Sequence, residues 1–111
     1  MSGRLLRLYT DTVARQDAQP LYRWLLGQAR ECGAAQAAAF HASSGFGRSG
    51  QLKEIRFPEV QMQEPVVVEI YADGVARDRL RARLSSAGVD VFFAESAAEY
   101  QWIGNANGSG D

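Results

Sequence analysis

At 111 residues, with 46% hydrophobic and 23% charged residues and a formal charge of −1, the chain has the size and composition of one soluble globular domain. That balance excludes a nucleic-acid binder driven by bulk charge, and no apolar run approaches the ~20 residues of a membrane-spanning helix. Cys32 is the only cysteine, which excludes an internal disulfide. With an amino terminus that lacks a signal-peptide pattern, this leads to the expectation of a cytoplasmic protein. Eleven of the twelve basic residues are arginine, the side chain suited to bidentate contacts with carboxylates and phosphates, although a GC-rich coding sequence produces the same bias.

Arg4 to Thr10 alternates, with Leu6 and Leu8 on one face and Leu5, Arg7 and Tyr9 on the other, and predicts a strand. Thr12 to Gln19 is polar and reads as a loop in which Asp17 caps a helix with Pro20 in its first turn. That helix is predicted to run to Cys32, burying Leu21, Tyr22, Leu25, Leu26 and Ala29, with Arg23, Arg30 and Glu31 outside the stripe and Gly33 closing its C-terminus. Trp24, at the edge of the stripe, reads as a packing or subunit-contact residue. Ala34 to Ala42 is undecided, because its alanines favour helix while Gly33 has just ended one. Gln51 to Phe57 reads as a loop arm or an irregular strand. Val66 to Ala72 is the clearest strand. Asp73-Gly74 starts a second helix ending at Gly88, with Ala76, Leu80, Leu84 and Ala87 inward and Arg77, Arg79, Arg81 and Arg83 over the rest. Val89 to Glu95 predicts a last strand. Residues 1–103 form the expected domain, and 104–111, GNANGSGD, a disordered tail.

If Ala34 to Ala42 is a strand, the order becomes βαββαβ, an α+β ferredoxin-like unit: an antiparallel sheet with two helices on one face. The other face, with Tyr9, Val67, Tyr71 and Phe92 as candidates, then requires cover, for which homo-oligomerisation is the natural means.

The stretch Ser43 to Gly50, SSGFGRSG, joins apolar segments through a glycine-rich turn, and Arg48, Lys53 and Arg56 place cations around it. It reads as an anion clamp or as a plain flexible hairpin. Neither a Walker-type phosphate loop nor a dinucleotide fingerprint is present. His41, the only histidine, reads as a structural hydrogen-bonding residue, and Cys32 as an inert packing thiol. Ser43 and Ser44 lack a nucleophile-elbow setting, and Glu54, Glu59 and Glu64 are expected to be solvated around the loop. A single histidine excludes a histidine pair for metal within one chain and leaves a site shared between subunits, completed by Cys32 or a carboxylate, as an alternative; neither a catalytic triad nor a paired-carboxylate site assembles, and the expectation is a protein that is not an enzyme.

The segments LLRLYT, QPLYRWLLGQARECGAAQAAAFHASSGFG and EPVVVEIYAD resemble the PII-like signalling proteins, a family long catalogued as a domain of unknown function. The resemblance covers about residues 4 to 96. It implies that Ala34 to Ala42 is a strand, that the fold is ferredoxin-like, and that the chain forms a homotrimer. The segment from about Gly45 to Pro65 would then be the analogue of the PII T-loop. It further implies a cytoplasmic regulator without catalytic activity or a resident cofactor. Its regulatory ligand would be an adenine nucleotide (ADP, AMP or ATP), with a small anion such as bicarbonate as a second ligand and a protein or transporter as target. If a nucleotide phosphate sits at the base of that segment, its donors are expected from the backbone of Gly45, Phe46 and Gly47 and from one or more of Arg48, Lys53 and Arg56. The chain departs from the family at His41-Ala42, where Arg-Gly is common, and at QLKEIRFPEVQMQEP. The alternatives are a trimeric metal-binding or metal-tolerance protein of similar fold and a ligandless interaction module.

Overall fold

A computed structural model describes residues 1–46, 53–54 and 63–104, the pair 53–54 by backbone alone. Its elements in chain order are β1 (Ser2–Asp11), β2 (Arg15–Gln16), β3 (Gln19–Pro20), α1 (Leu21–Glu31), β4 (Gln36–His41), β5 (Ser44–Gly45), β6 (Lys53–Glu54), β7 (Pro65–Ala72), α2 (Gly74–Ala87) and β8 (Phe92–Glu99). The main sheet runs β4-β7-β1-β8 with every pairing antiparallel, so two βαβ units interleave and both helices pack on one face. This is the ferredoxin-like order expected if Ala34 to Ala42 is a strand. The alanine-rich segment pairs along its length with β7, from Gln36 opposite Tyr71 to His41 opposite Val66. Cross-strand pairing thus overrides alanine's helix preference, and Ala37 and Ala39 pack against the core.

Strict alternation along β7 buries Val66, Val68, Ile70 and Ala72, which meet Leu6 and Leu8 of β1 on the helix side. Leu21, Trp24, Leu25 and Ala29 of α1 and Ala76, Leu80 and Leu84 of α2 complete the core, and Cys32 is buried with them. Each fully buried large aliphatic side chain contributes about 1.5–3 kcal/mol relative to exposure. Ala87, expected inward, is instead exposed. Among the described residues no helix is long and apolar enough to cross a membrane.

The helix ends follow backbone chemistry at three of four positions. Asp73 accepts a hydrogen bond from the Ala76 amide at 2.8 Å, and Gly88, at φ 68°, closes α2 with its amide on the Leu84 carbonyl. Gly33, at φ 94°, ends α1: its amide bonds Arg30 and the Ala34 amide bonds Ala29, the pair of bonds of a Schellman motif. The start of α1 differs from expectation. Pro20 is the residue before the helix and makes no side-chain cap, while the Asp17 carboxylate accepts the Trp24 indole N–H at 3.1 Å. Asp17 and Ala18, at φ 52° and 64°, form the turn between β2 and β3, so a two-residue hairpin occupies the segment expected to be loop.

The last strand also shifts. Val89 and Val91 are partly buried lead-in residues, and β8 runs on from Phe92 to Glu99 because Ser2–Tyr9 of β1 offers it a full ladder. The registers align rows across the outer face of the sheet: Phe40, Val67, Tyr9 and Phe92; then Ala38, Glu69, Arg7 and Ala94; then Gln36, Tyr71, Leu5 and Ser96. An Arg7–Glu69 ion pair at 2.9 Å sits in the middle row. Phe92 is 70% exposed, Phe40 52% and Tyr9 41%, so an apolar row at one end of this face lacks cover among the described residues.

Candidate functional site

The segment between β4 and β7 leaves the sheet beside the end of β1, and its two described roots are tied there by backbone and side chains. The Ala42 amide bonds the Pro65 carbonyl at 2.9 Å. Across the root, the Thr12 amide bonds the Glu64 carbonyl at 3.0 Å and the Glu64 amide bonds the Thr12 hydroxyl at 3.1 Å. The Gln63 amide group donates to Asp11 at 2.6 Å, while the other Asp11 oxygen accepts the Val13 and Ala14 amides. Polar side chains at the strand ends thus satisfy backbone groups that would otherwise be left unpaired where the ladder stops.

His41 lies in this root rather than apart from it. Its Nδ1 is 3.1 Å from a Glu64 carboxylate oxygen, and its ring meets the Tyr22 edge with centroids 5.7 Å apart. The Arg23 guanidinium is 6.0 Å from the Tyr22 centroid. The expected structural role of His41 is what the geometry gives. Glu64, whose side chain is 36% exposed, also links His41 of β4 to Thr12 just after β1; nothing local in the chain signals this, since its partners lie 23 and 52 positions away. Tyr22 is a further group at the root that the sequence reading left in the helix.

Of the sequence-derived binding residues, Gly45 is in β5, opposite Lys53 of β6, with the Pro65 ring beneath it: a Cβ added at Gly45 would meet Pro65 at 3.6 Å. Gln51 to Phe57 therefore contains a short strand at 53–54. Phe46 is 73% exposed. The Lys53 side chain, Gly47, Arg48 and Arg56 lie outside the described residues, as do the Glu59 side chain and the tail from 105 onward. The structure thus brings Gly45 and the Lys53 backbone together over the root.

Beyond the root, Arg77 does not radiate into solvent as expected. It holds Glu95, which also takes a 2.8 Å hydrogen bond from Arg4, and these guanidinium contacts, that of Arg77 foremost, hold the Glu95 carboxyl below the usual glutamate range. At the opposite end of the sheet, Gln36, Tyr71, Tyr100, Trp102 and Ile103 line a cleft of about 520 Å³ beside Met1. The Tyr100 ring lies edge-on to Tyr71 and over Gly3, and its buried hydroxyl has no hydrogen-bond partner among the described residues. Burial raises the Tyr100 pKa. No group of three or more His, Cys, Asp or Glu among the described residues could hold a metal ion.

A family model, DUF190, described as an uncharacterized ACR, matches residues 3–87. A UPF0166 protein of Aquifex aeolicus (strain VF5) is 33% identical over 67 residues, a stretch that spans 60% of this chain and 64% of that relative. Among solved structures, a candidate PII-like signaling protein from Thermus thermophilus superposes with a TM-score of 0.57 at 17% identity, covering 87% of each chain. At that identity the likeness concerns the fold.

Proposed function

The chain belongs to the DUF190 family, and from that premise we propose that it is a PII-like regulator without catalytic activity, acting as a homotrimer in the cytoplasm. In this reading an adenine nucleotide, ADP, AMP or ATP, binds at the base of the segment between β4 and β7, with a small anion such as bicarbonate as a second ligand. That segment, the T-loop analogue, reports occupancy to a protein target.

The observation that carries the reading is the root itself. A 22-residue excursion from Ala42 to Gln63 in sequence leaves a PII-like sheet at a point fastened by Thr12, His41 and Glu64. A long insertion anchored on a rigid sheet end is where binding residues concentrate. Its sequence supplies donors suited to phosphate: backbone amides of Gly45, Phe46 and Gly47, and the cations Arg48, Lys53 and Arg56. The uncovered row of Phe40, Tyr9 and Phe92 supports assembly through the outer sheet face.

Calorimetric titration of ADP, AMP and ATP into wild type, Arg48→Ala, Arg56→Ala and Arg79→Ala tests it. Each charge-assisted hydrogen bond is worth on the order of 1.5–3 kcal/mol, so loss of Arg48 or Arg56 weakens binding roughly ten-fold or more. Arg79→Ala leaves it unchanged. Absence of heat with every adenine nucleotide overturns the nucleotide reading, and weakening by Arg79→Ala alone moves the site to α2.

A further inference from the structure

Charge in this chain is segregated by layer. Within α1 and α2 six arginines stand against Glu31 and Asp78, a net of +4 in a chain whose total is −1, so everything outside the two helices carries −5. The Asp73 carboxylate, just ahead of α2, is committed to the Ala76 amide. Arg77 and Arg83 are neutralised, by Glu95 and Asp78 and by Glu31 respectively. Arg23, Arg30, Arg79 and Arg81 are exposed, and none of them forms an ion pair among the described residues.

Two of these heads lie beside aromatic rings. Arg23 lies near the Tyr22 ring and Arg81 lies over the Phe93 ring at 5.2 Å from its centroid. A guanidinium near a ring face keeps N–H donors free for an oxyanion, and the ring contact limits the rotamer entropy lost when that partner arrives. Arg23 and Arg30 are seven residues apart, two turns along one side of α1, while Arg79 is on the flank of α2 that also carries Arg83, whose guanidinium reaches Gln28 and Glu31 of α1. The layer is a two-helix cationic face opposite the outer face of the sheet.

We propose that this helix layer is a docking surface for an acidic, carboxylate-rich segment of a partner protein. A carboxylate fits the fork of an exposed arginine, and the positive layer attracts acidic chains while the rest of the chain carries a net −5. The exposed apolar neighbour on the helices is Val75 alone among the described large hydrophobics, so the layer lacks the aromatic or aliphatic anchors that insert into a bilayer. The surface is independent of the nucleotide reading. If copies assemble through their sheet faces, the helix layers point outward and a multivalent acidic partner gains avidity from several at once.

Fluorescence anisotropy with labelled poly-L-glutamate tests the proposal on the full chain. Wild type binds at low salt and weakens as salt rises. The double variant Arg30→Ser/Arg79→Ser, at exposed positions without described partners, loses about ten-fold or more in affinity, whereas Arg48→Ala/Arg56→Ala keeps it. Circular dichroism and urea midpoints check that the variants are folded, and Arg23→Ser/Arg81→Ser gives a second, independent loss. Equal binding by wild type and the helix variants, loss only in the loop variant, or no binding at all overturns the proposal. So does stronger binding to phosphatidylserine vesicles or duplex DNA, which would assign the layer to a membrane or a nucleic acid.

Discussion

Asp17 and Ala18 hold left-handed backbone so that Asp17 can reach the buried Trp24 indole, and the turn is a place where one residue is strained for another's benefit. Alanine at φ 64° is disfavoured, so Ala18→Gly is expected to raise stability by about 0.5–1 kcal/mol, read from the urea midpoint. Asp17→Ala strands an indole N–H in a residue that is 7% exposed and costs about 1–3 kcal/mol; Asp17→Asn recovers most of it. Gly3 is required for a different reason. A Cβ there would lie 2.6 Å from the Ala72 carbonyl oxygen and 2.7 Å from the Tyr100 ring. Gly3→Ala should cost about 1–3 kcal/mol by overpacking, and because the carbonyl cannot move aside, adding Tyr100→Ala relieves only part of that cost. None of this was legible in the sequence. Asp17 reads as a cap because most aspartates before a helix are caps, and the competing indole appears only once α1 folds back on the hairpin.

Elements were more legible than contacts. Alternation in β1 and β7, and Asp73 and Gly88 at the ends of α2, are local signals that survive folding unchanged. β4 and the end of β8 are the reverse case: QAAAFH and AESAAE have helical composition, and only the ladders offered by β7 and β1 make them strands. The resemblance to PII-like proteins, rather than propensity, identified β4. Arg77 shows why site residues are harder still, since it looks solvated on a helical wheel but ties α2 to β8, with Arg4 of β1 on the same carboxylate. Glu95 is held deprotonated by these contacts. Its contribution is fully present above the unfolded-chain value of about 4.3 and is lost as pH falls through the lower folded value. Urea midpoints of wild type and Glu95→Gln should therefore differ at pH 7, by about 1–2 kcal/mol, and converge in acid.

At the scale of the molecule, the helices cover one sheet face and the other carries aromatic rings that no other described residue covers. Tyr9 and Phe92 stack edge to face with centroids 5.7 Å apart, next to Val67 and Phe40. Light scattering at micromolar concentration is expected to give the mass of a trimer. Tyr9→Ser/Phe92→Ser, at outward positions that leave the core intact, should shift it to monomer while circular dichroism is retained. A folded wild-type monomer would remove both the PII-type assembly and any site between subunits. The need for cover was readable from Tyr9, Val67, Tyr71 and Phe92 in sequence; Phe40 was not, because its place depends on the register of β4.

Cys32 sits 2% exposed where α1 ends, one residue before Gly33 at φ 94°. A lone sulfhydryl in that place is a built-in clock: an alkylating reagent can modify it only during the moments when the helix end lifts from the sheet, so the labelling rate measures how often that happens. Gly33→Ala forces a side chain into left-handed backbone at a cost of about 1 kcal/mol, which should quicken modification roughly five-fold while far-ultraviolet spectra stay the same.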